Sequence, residues 1–258
     1  MSTRSVSKRT AQFNVIASPH SELVWNLMGS NGWEEHTFNI LDRFLSVDHT
    51  YLDIGAWVGP TALYGAHLSK HVYAIEPDQV AFAEFKQNLD LNPLLSSKTT
   101  PINAALSGKS ETINLYSNGA FGNSMSSIMP TGSDDSYTVE GITISDLMNK
   151  YNINDLNFIK MDVEGSEYFL VPAMEEFLES EKPTLYLSFH PPFLIGNLHR
   201  EYPDVNEANN KFNEINRNLL EILRMYKYIY DVHGNSVSEE IVLNERHHRE
   251  FVFSNEPW

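Results

Sequence analysis

Residues 51–66 read YLDIGAWVGPTALYGA, and what this stretch becomes decides the fold. Residues 51–54 suit a buried strand, and Pro60 opens a helical run over 60–68. Between them Gly55 permits a tight turn, and Gly59 permits backbone to approach a ligand closely. A helix opened this way presents unpaired N–H groups that can hold an anion. The glycines follow D-x-G-x-x-x-G rather than G-x-G-x-x-G, so this is not the dinucleotide fingerprint.

Outward from this turn the chain alternates. Strands are expected at 72–75, 100–105, 111–116, 158–161 and 185–189. Helices are expected at 79–91, 143–150, 168–179 and 206–226. Residues 21–45 read as helical with a break around Gly32, and 117–136 as a long Gly/Ser/Asn-rich loop. Two last strands, 228–232 and 251–253, lie either side of a polar turn at 233–236. Such alternation predicts a doubly wound α/β fold with a mostly parallel sheet and an antiparallel C-terminal edge hairpin. Residues 21–258 form one domain in this reading, and 1–20 a frayed tail.

The chain has 258 residues, of which 41% are hydrophobic, so it can bury a sizeable core. Its net charge of −16, from 18 basic and 34 acidic residues, argues against nucleic-acid or anionic-membrane partners. There are no cysteines, which removes disulfides, thiolate metal sites and cysteine nucleophiles. No stretch approaches the ~18 apolar residues of a membrane span, and the N-terminus lacks a signal-peptide core. A cytoplasmic location is expected.

In an open parallel sheet, ligands bind outside the carboxyl ends of the strands, at the switch point. Asp53 sits before the first glycine, where it would repel a pyrophosphate. A ligand carrying both an ammonium and a carboxylate suits the turn better, and S-adenosylmethionine has such an end. Glu76, with Pro77 beside it, ends the second strand 23 positions after Asp53, where an acid can accept from ribose hydroxyls. Asn103 ends the third strand and is expected near the adenine edge. The bland alternative is an ordinary strand–turn–helix with chance glycines and a solvated Glu76.

YLDIGAWVGPTALYGA and VYAIEPD resemble the first two motifs of class I methyltransferases. FIKMDVEGSEYFLVPAM (158–174) resembles the signature of the FkbM-type methyltransferase family, and WEEHTFNIL, NAALSGKSETINLY, GNSMSSI and GITISDL follow its pattern in order. The resemblance spans roughly residues 30–195. It departs at Trp57, where the family often carries asparagine, and at SFH, where glutamate often precedes the histidine. It implies a Rossmann-like, seven-stranded fold, S-adenosylmethionine as cofactor, and a hydroxyl acceptor on a sugar, glycan or natural-product intermediate. Asp53, Gly55, Ala56, Gly59 and Thr61 would surround the methionine end, with Glu34 closing over it, and Glu76 would hold the ribose.

The fourth strand ends in Asp162, Glu164 and Glu167, and the fifth in His190. Methylating a hydroxyl needs in-line geometry and a group within hydrogen-bond reach to take the proton. Asp162, Glu164 and His190 are expected to face the acceptor, with His190 as a usable base near neutrality. Asp162 and His190, with Glu164, also raise a divalent-ion reading, Mg²⁺ or Mn²⁺. Against these roles, the acids can simply start a helix, His190 can simply end a strand, and His247–His248 read as solvent-exposed. Rival functions are a nucleotide (NAD)-dependent oxidoreductase and a non-catalytic binding module with a degenerate cofactor site.

Overall fold

The computed structural model describes every residue except Met1 and Asp134; the latter falls within the loop expected over 117–136. The frayed tail is corrected: β1 (Ser2–Lys8) and β2 (Ala11–Ala17) form an antiparallel hairpin. Val6, Ala11, Phe13 and Val15 alternate into the core, and Phe13 meets Trp25 edge-on at 6.3 Å. Side-chain oxygens of Asn92 and Asn88 accept from the N–H groups of Asn14 and Ile16 at 2.8 and 2.7 Å, docking β2 on the main body. Buried apolar area and paired backbone together hold down a segment whose first ten residues look soluble.

α1 (Glu22–Gly29) and α2 (Glu35–Phe44) flank the expected break. Then come β3 (Thr50–Ile54), α3 (Pro60–Leu68), β4 (His71–Ile75), α4 (Gln79–Asp90), α5 (Pro93–Ser96) and β5 (Thr99–Ile102). The third strand stops earlier than the sequence implies. Asn103 donates to the carbonyls of Glu76 (2.8 Å) and Pro77 (3.2 Å), which turns the chain off the sheet.

A small side sheet follows, β6 (Ala105–Leu106), β7 (Thr112–Tyr116) and β8 (Ser136–Ile142), in the order β6-β8-β7. The sequence reading has no strand at β8. α6 (Ile144–Tyr151) is capped by Thr143, whose hydroxyl accepts from Asp146 N–H. β9 (Leu156–Met161) leads into α7 (Glu167–Ala173) and α8 (Glu175–Glu181). The single helix expected over 168–179 breaks at Met174, just after Pro172, which has no N–H to donate. β10 (Thr184–Phe189) is followed by α9 (Pro191–Glu201), α10 (Val205–Leu223), β11 (Tyr228–Asp231), α11 (Glu239–Leu243) and β12 (Arg249–Ser254).

The main sheet has the order β11-β12-β10-β9-β3-β4-β5, and only β12 runs against the others. Every residue of β3 and β10 is buried, as expected for strands with helices on both faces. From β3 the chain moves outward through β4 and β5, then returns to β9 on the other side. The switch point therefore lies between β3 and β9, and it puts Gly55, Glu76, Asp162 and His190 at neighbouring strand tips. No described helix is long and apolar enough to cross a membrane.

Candidate active site

The tips of β3 and β9 touch. Asp162 N–H donates to Ile54 carbonyl at 3.0 Å. At Gly55 (φ 85°) an added Cβ would stand 1.9 Å from Asp162 carbonyl oxygen, so only glycine fits. Gly59 (φ 93°) has a different reason: its missing Cβ makes room for the Phe85 ring, at 2.3 Å. A cavity opens above this contact, lined by Glu34, Gly55, Ala56, Thr61, Glu76, Pro77, Asp162, Glu164 and His190. Asp53, Gly59 and Asn103 do not line it.

At one end stands Glu76, only 6% exposed. Its oxygens accept from Trp57 N–H and Asp78 N–H, each at 2.7 Å. Among the described residues no cation pairs with it, and burial pushes its carboxyl up to about 8. A buried carboxyl with acceptor capacity left over and no counter-charge fits the two hydroxyls of a ribose. Ile75, Leu106, Leu115 and Ile128 give the same end apolar surface for a base. Asp53 lies beneath, fully buried, with Thr61 hydroxyl donating to it at 2.7 Å. Its carboxyl is raised by burial, against the pull of Lys160. The residues present fit the nucleoside and amino-acid ends of S-adenosylmethionine.

The other end is charged. Lys160, 3% exposed, donates to Asp162 at 3.0 Å. Burial works against its charge, but Asp162, Asp53 and Glu34 hold it protonated. Burial likewise works against ionised Asp162, yet Lys160 and His190 keep its carboxyl down at about 2. His190 Nε2 lies 3.4 Å from Asp162 and 3.7 Å from Glu164, and its Nδ1 lies 3.5 Å from Glu167. Burial would lower the imidazole, but Glu167, then Asp162 and Glu164, hold it up at about 10. Glu167 is fully buried and also accepts from His190 N–H (2.6 Å) and Gly165 N–H (2.9 Å). It joins the two strand tips, a role beyond starting α7.

Two carboxyls are poised near neutrality. Burial raises Glu164 to about 7 despite His190, and burial with Asp162 raises Glu34 to about 7. Asp162, Glu164 and His190 also bring one ligand atom each within 4.8 Å of one another, a spacing that can hold a metal ion. The structure thus brings together the three expected acceptor-side residues. It adds Lys160, Trp33 and His248 to the lining. His248 is exposed as the sequence implies, but its ring stacks on His190 with centroids 4.6 Å apart. A lysine in the apolar run 158–161, two residues before an acid, is the signal that Lys160 faces a charge; His248 has no comparable signal.

A family model described as the methyltransferase FkbM domain matches residues 53–230. The chain belongs to the FkbM methyltransferase family. This FkbM-type chain is 25% identical over 175 residues to the hexuronic acid methyltransferase AglP of Haloferax volcanii, covering 68% of itself and 69% of that protein. It is 36% identical over 73 residues to a ribosomal protein L11 methyltransferase of Enterococcus faecalis, covering 28% of itself and 23% of that protein. A solved structure, methyltransferase FkbM from Methylobacillus flagellatus KT, aligns with 18% identity and a TM-score of 0.48, over 92% of this chain and 56% of that one.

Proposed function

We propose that the protein transfers a methyl group from S-adenosylmethionine to a hydroxyl of a small-molecule or glycan acceptor, a sugar above all. The observation that carries this reading is one cavity with two chemistries. A buried, unpaired Glu76 stands at its nucleoside end, and Asp162, Glu164, Lys160 and His190 stand at its charged end. S-adenosylmethionine, when bound, supplies an electrophilic methyl on a sulfonium. Glu76 holds the ribose hydroxyls, and Thr61 over Asp53 meets the amino-acid end. Lys160 and His190 keep Asp162 ionised, so that it orients the acceptor hydroxyl.

Glu164 then takes the proton. His190 is the wrong group for this step because its imidazole is already protonated at neutral pH, whereas Glu164 titrates near 7. The hexuronic acid relative supports a sugar acceptor, and the −16 charge supports an acceptor other than nucleic acid. A second reading, in which Asp162, Glu164 and His190 hold Mg²⁺ or Mn²⁺, is favoured by their spacing alone.

Calorimetry with S-adenosylhomocysteine, NAD and NADP tests the class: only the first should bind. Glu76→Ala should weaken that binding by about 1.5–3 kcal/mol. Equal binding of NAD would sink the proposal. Full methyl transfer in excess chelator would remove the metal reading, and activity restored only by Mg²⁺ or Mn²⁺ would establish it.

A further inference from the structure

Between β7 and β8 the chain supplies a wall of the cavity, to which Asn123, Ser124, Ser126, Ser127 and Ile128 contribute. Trp57 and Asp78 hold this segment. Trp57 indole N–H donates to Gly122 carbonyl at 2.8 Å. Asp78 Oδ2 accepts from Gly122 N–H at 2.7 Å and from Ser126 hydroxyl at 2.9 Å. The backbone N–H groups of the same two residues hold the oxygens of Glu76. At the far end Ser127 hydroxyl donates to Glu164 carbonyl at 2.9 Å. Asn103, the residue expected at the adenine edge, is meanwhile turned onto the backbone of Glu76 and Pro77.

We propose that residues 122–128 form the nucleoside-facing wall of the cofactor cavity, and that Trp57 and Asp78 are the positioning residues that hold it there. The proposal rests on the methyl-donor reading above. The polar edge of the adenine is then met by the 123–126 backbone and hydroxyls, in place of Asn103. Trp57 acts as a tie, its indole N–H spanning from the glycine-rich turn to the wall. Asp78 serves twice, since its other oxygen caps α4 at Val80 N–H.

Trp57→Phe keeps one aromatic ring while it deletes the indole donor and part of the ring volume, so it is read beside Ser126→Ala. Loss of one hydrogen bond that opposes ligand release should speed S-adenosylhomocysteine dissociation roughly 2- to 10-fold. Amide exchange over 119–128 should quicken in the ligand-free protein, and KM for S-adenosylmethionine should rise with kcat kept. The ligand-free melting temperature should stay near wild type, which a merely structural role would lower. Ser126→Ala, which removes a hydroxyl from Asp78 and leaves the turn intact, should move dissociation the same way and decides the matter if Trp57→Phe folds poorly. Dissociation and exchange rates unchanged in both variants would overturn the proposal. Wild-type protein that binds no S-adenosylhomocysteine would instead overturn the donor reading beneath it.

Discussion

Glu167→Gln is the sharpest test of the charge network. Glu167 accepts from Gly165 and His190 backbone N–H groups and faces the His190 ring. Glutamine keeps the shape but replaces one acceptor oxygen with an NH₂, so one buried N–H loses its partner. That costs about 1–3 kcal/mol at any pH, or about 2–12 °C in Tm for a chain of this size. A second loss comes from charge. His190 has a folded pKa of about 10 against an ordinary 6.5, so its protonation stabilises the fold fully below pH ~6.5. That stability, on the order of a few kcal/mol, drains away as pH rises toward about 10. Removing Glu167 lowers the folded pKa and shrinks the contribution. The wild-type-minus-variant gap should therefore be widest near pH 6 and narrow by pH 10 to the hydrogen-bond cost alone. Urea melts at half-unit pH steps read it directly. A gap that does not vary with pH would refute the claim that Glu167 holds the His190 proton, and no gap at all would refute both parts.

Glu164→Gln should slow single-turnover methyl transfer about 10²- to 10⁴-fold while S-adenosylhomocysteine affinity is kept. Wild-type transfer should rise with pH through an ionisation near 7, because Glu164 must shed its proton to act; a profile of the same shape in Glu164→Gln would assign that ionisation elsewhere. Gly55→Ala should fail to fold stably, since φ 85° and a Cβ 1.9 Å from a backbone oxygen leave nothing flexible to move. A soluble Gly55→Ala protein melting within ~2 °C of wild type would mean the strand tips are not in contact.

What could be read in the sequence was whatever depends on strand position. Runs such as YLDI and TLYLSF can only be buried strands, and parallel strands put their tips on one edge of the sheet. Asp162, Glu164 and His190 therefore had to be neighbours, and Glu76 had to stand at the tip of the adjoining strand, on the same cavity. What could not be read depends on partners far along the chain. Gly59 looks like a ligand contact until Phe85, from α4, is seen packed against it. Asn103 looks like an adenine contact until its amide is found on the backbone of the preceding crossover. The charge of His190 follows from Glu167, whose complete burial no local pattern announces. The hairpin was legible in part, since AQFNVIA alternates, but the basic, hydroxyl-rich residues before it hid its pairing strand.

The backbone itself marks the same cavity. Among the described residues, seven other than glycine have positive φ. Arg9 lies in the hairpin turn, Asn152 and Lys182 end helices, and Asn31 lies in the α1–α2 turn; such places commonly take this conformation. The remaining three, Glu34 (41°), Trp57 (50°) and Glu164 (51°), all line the cavity. Each left-handed residue costs about 1–2 kcal/mol, and any of the three would be relieved by glycine. The strain persists because neighbouring bonds over-determine it: Glu76 accepts from the Trp57 N–H, Ser127 hydroxyl donates to the Glu164 carbonyl, and Thr37 hydroxyl donates to Glu34. A fold selected for stability alone would put glycine at these positions. Side chains stand there at that cost, and the left-handed turns put two titrating carboxyls and an indole on the lining of this cavity, where the proposed methyl transfer would use them.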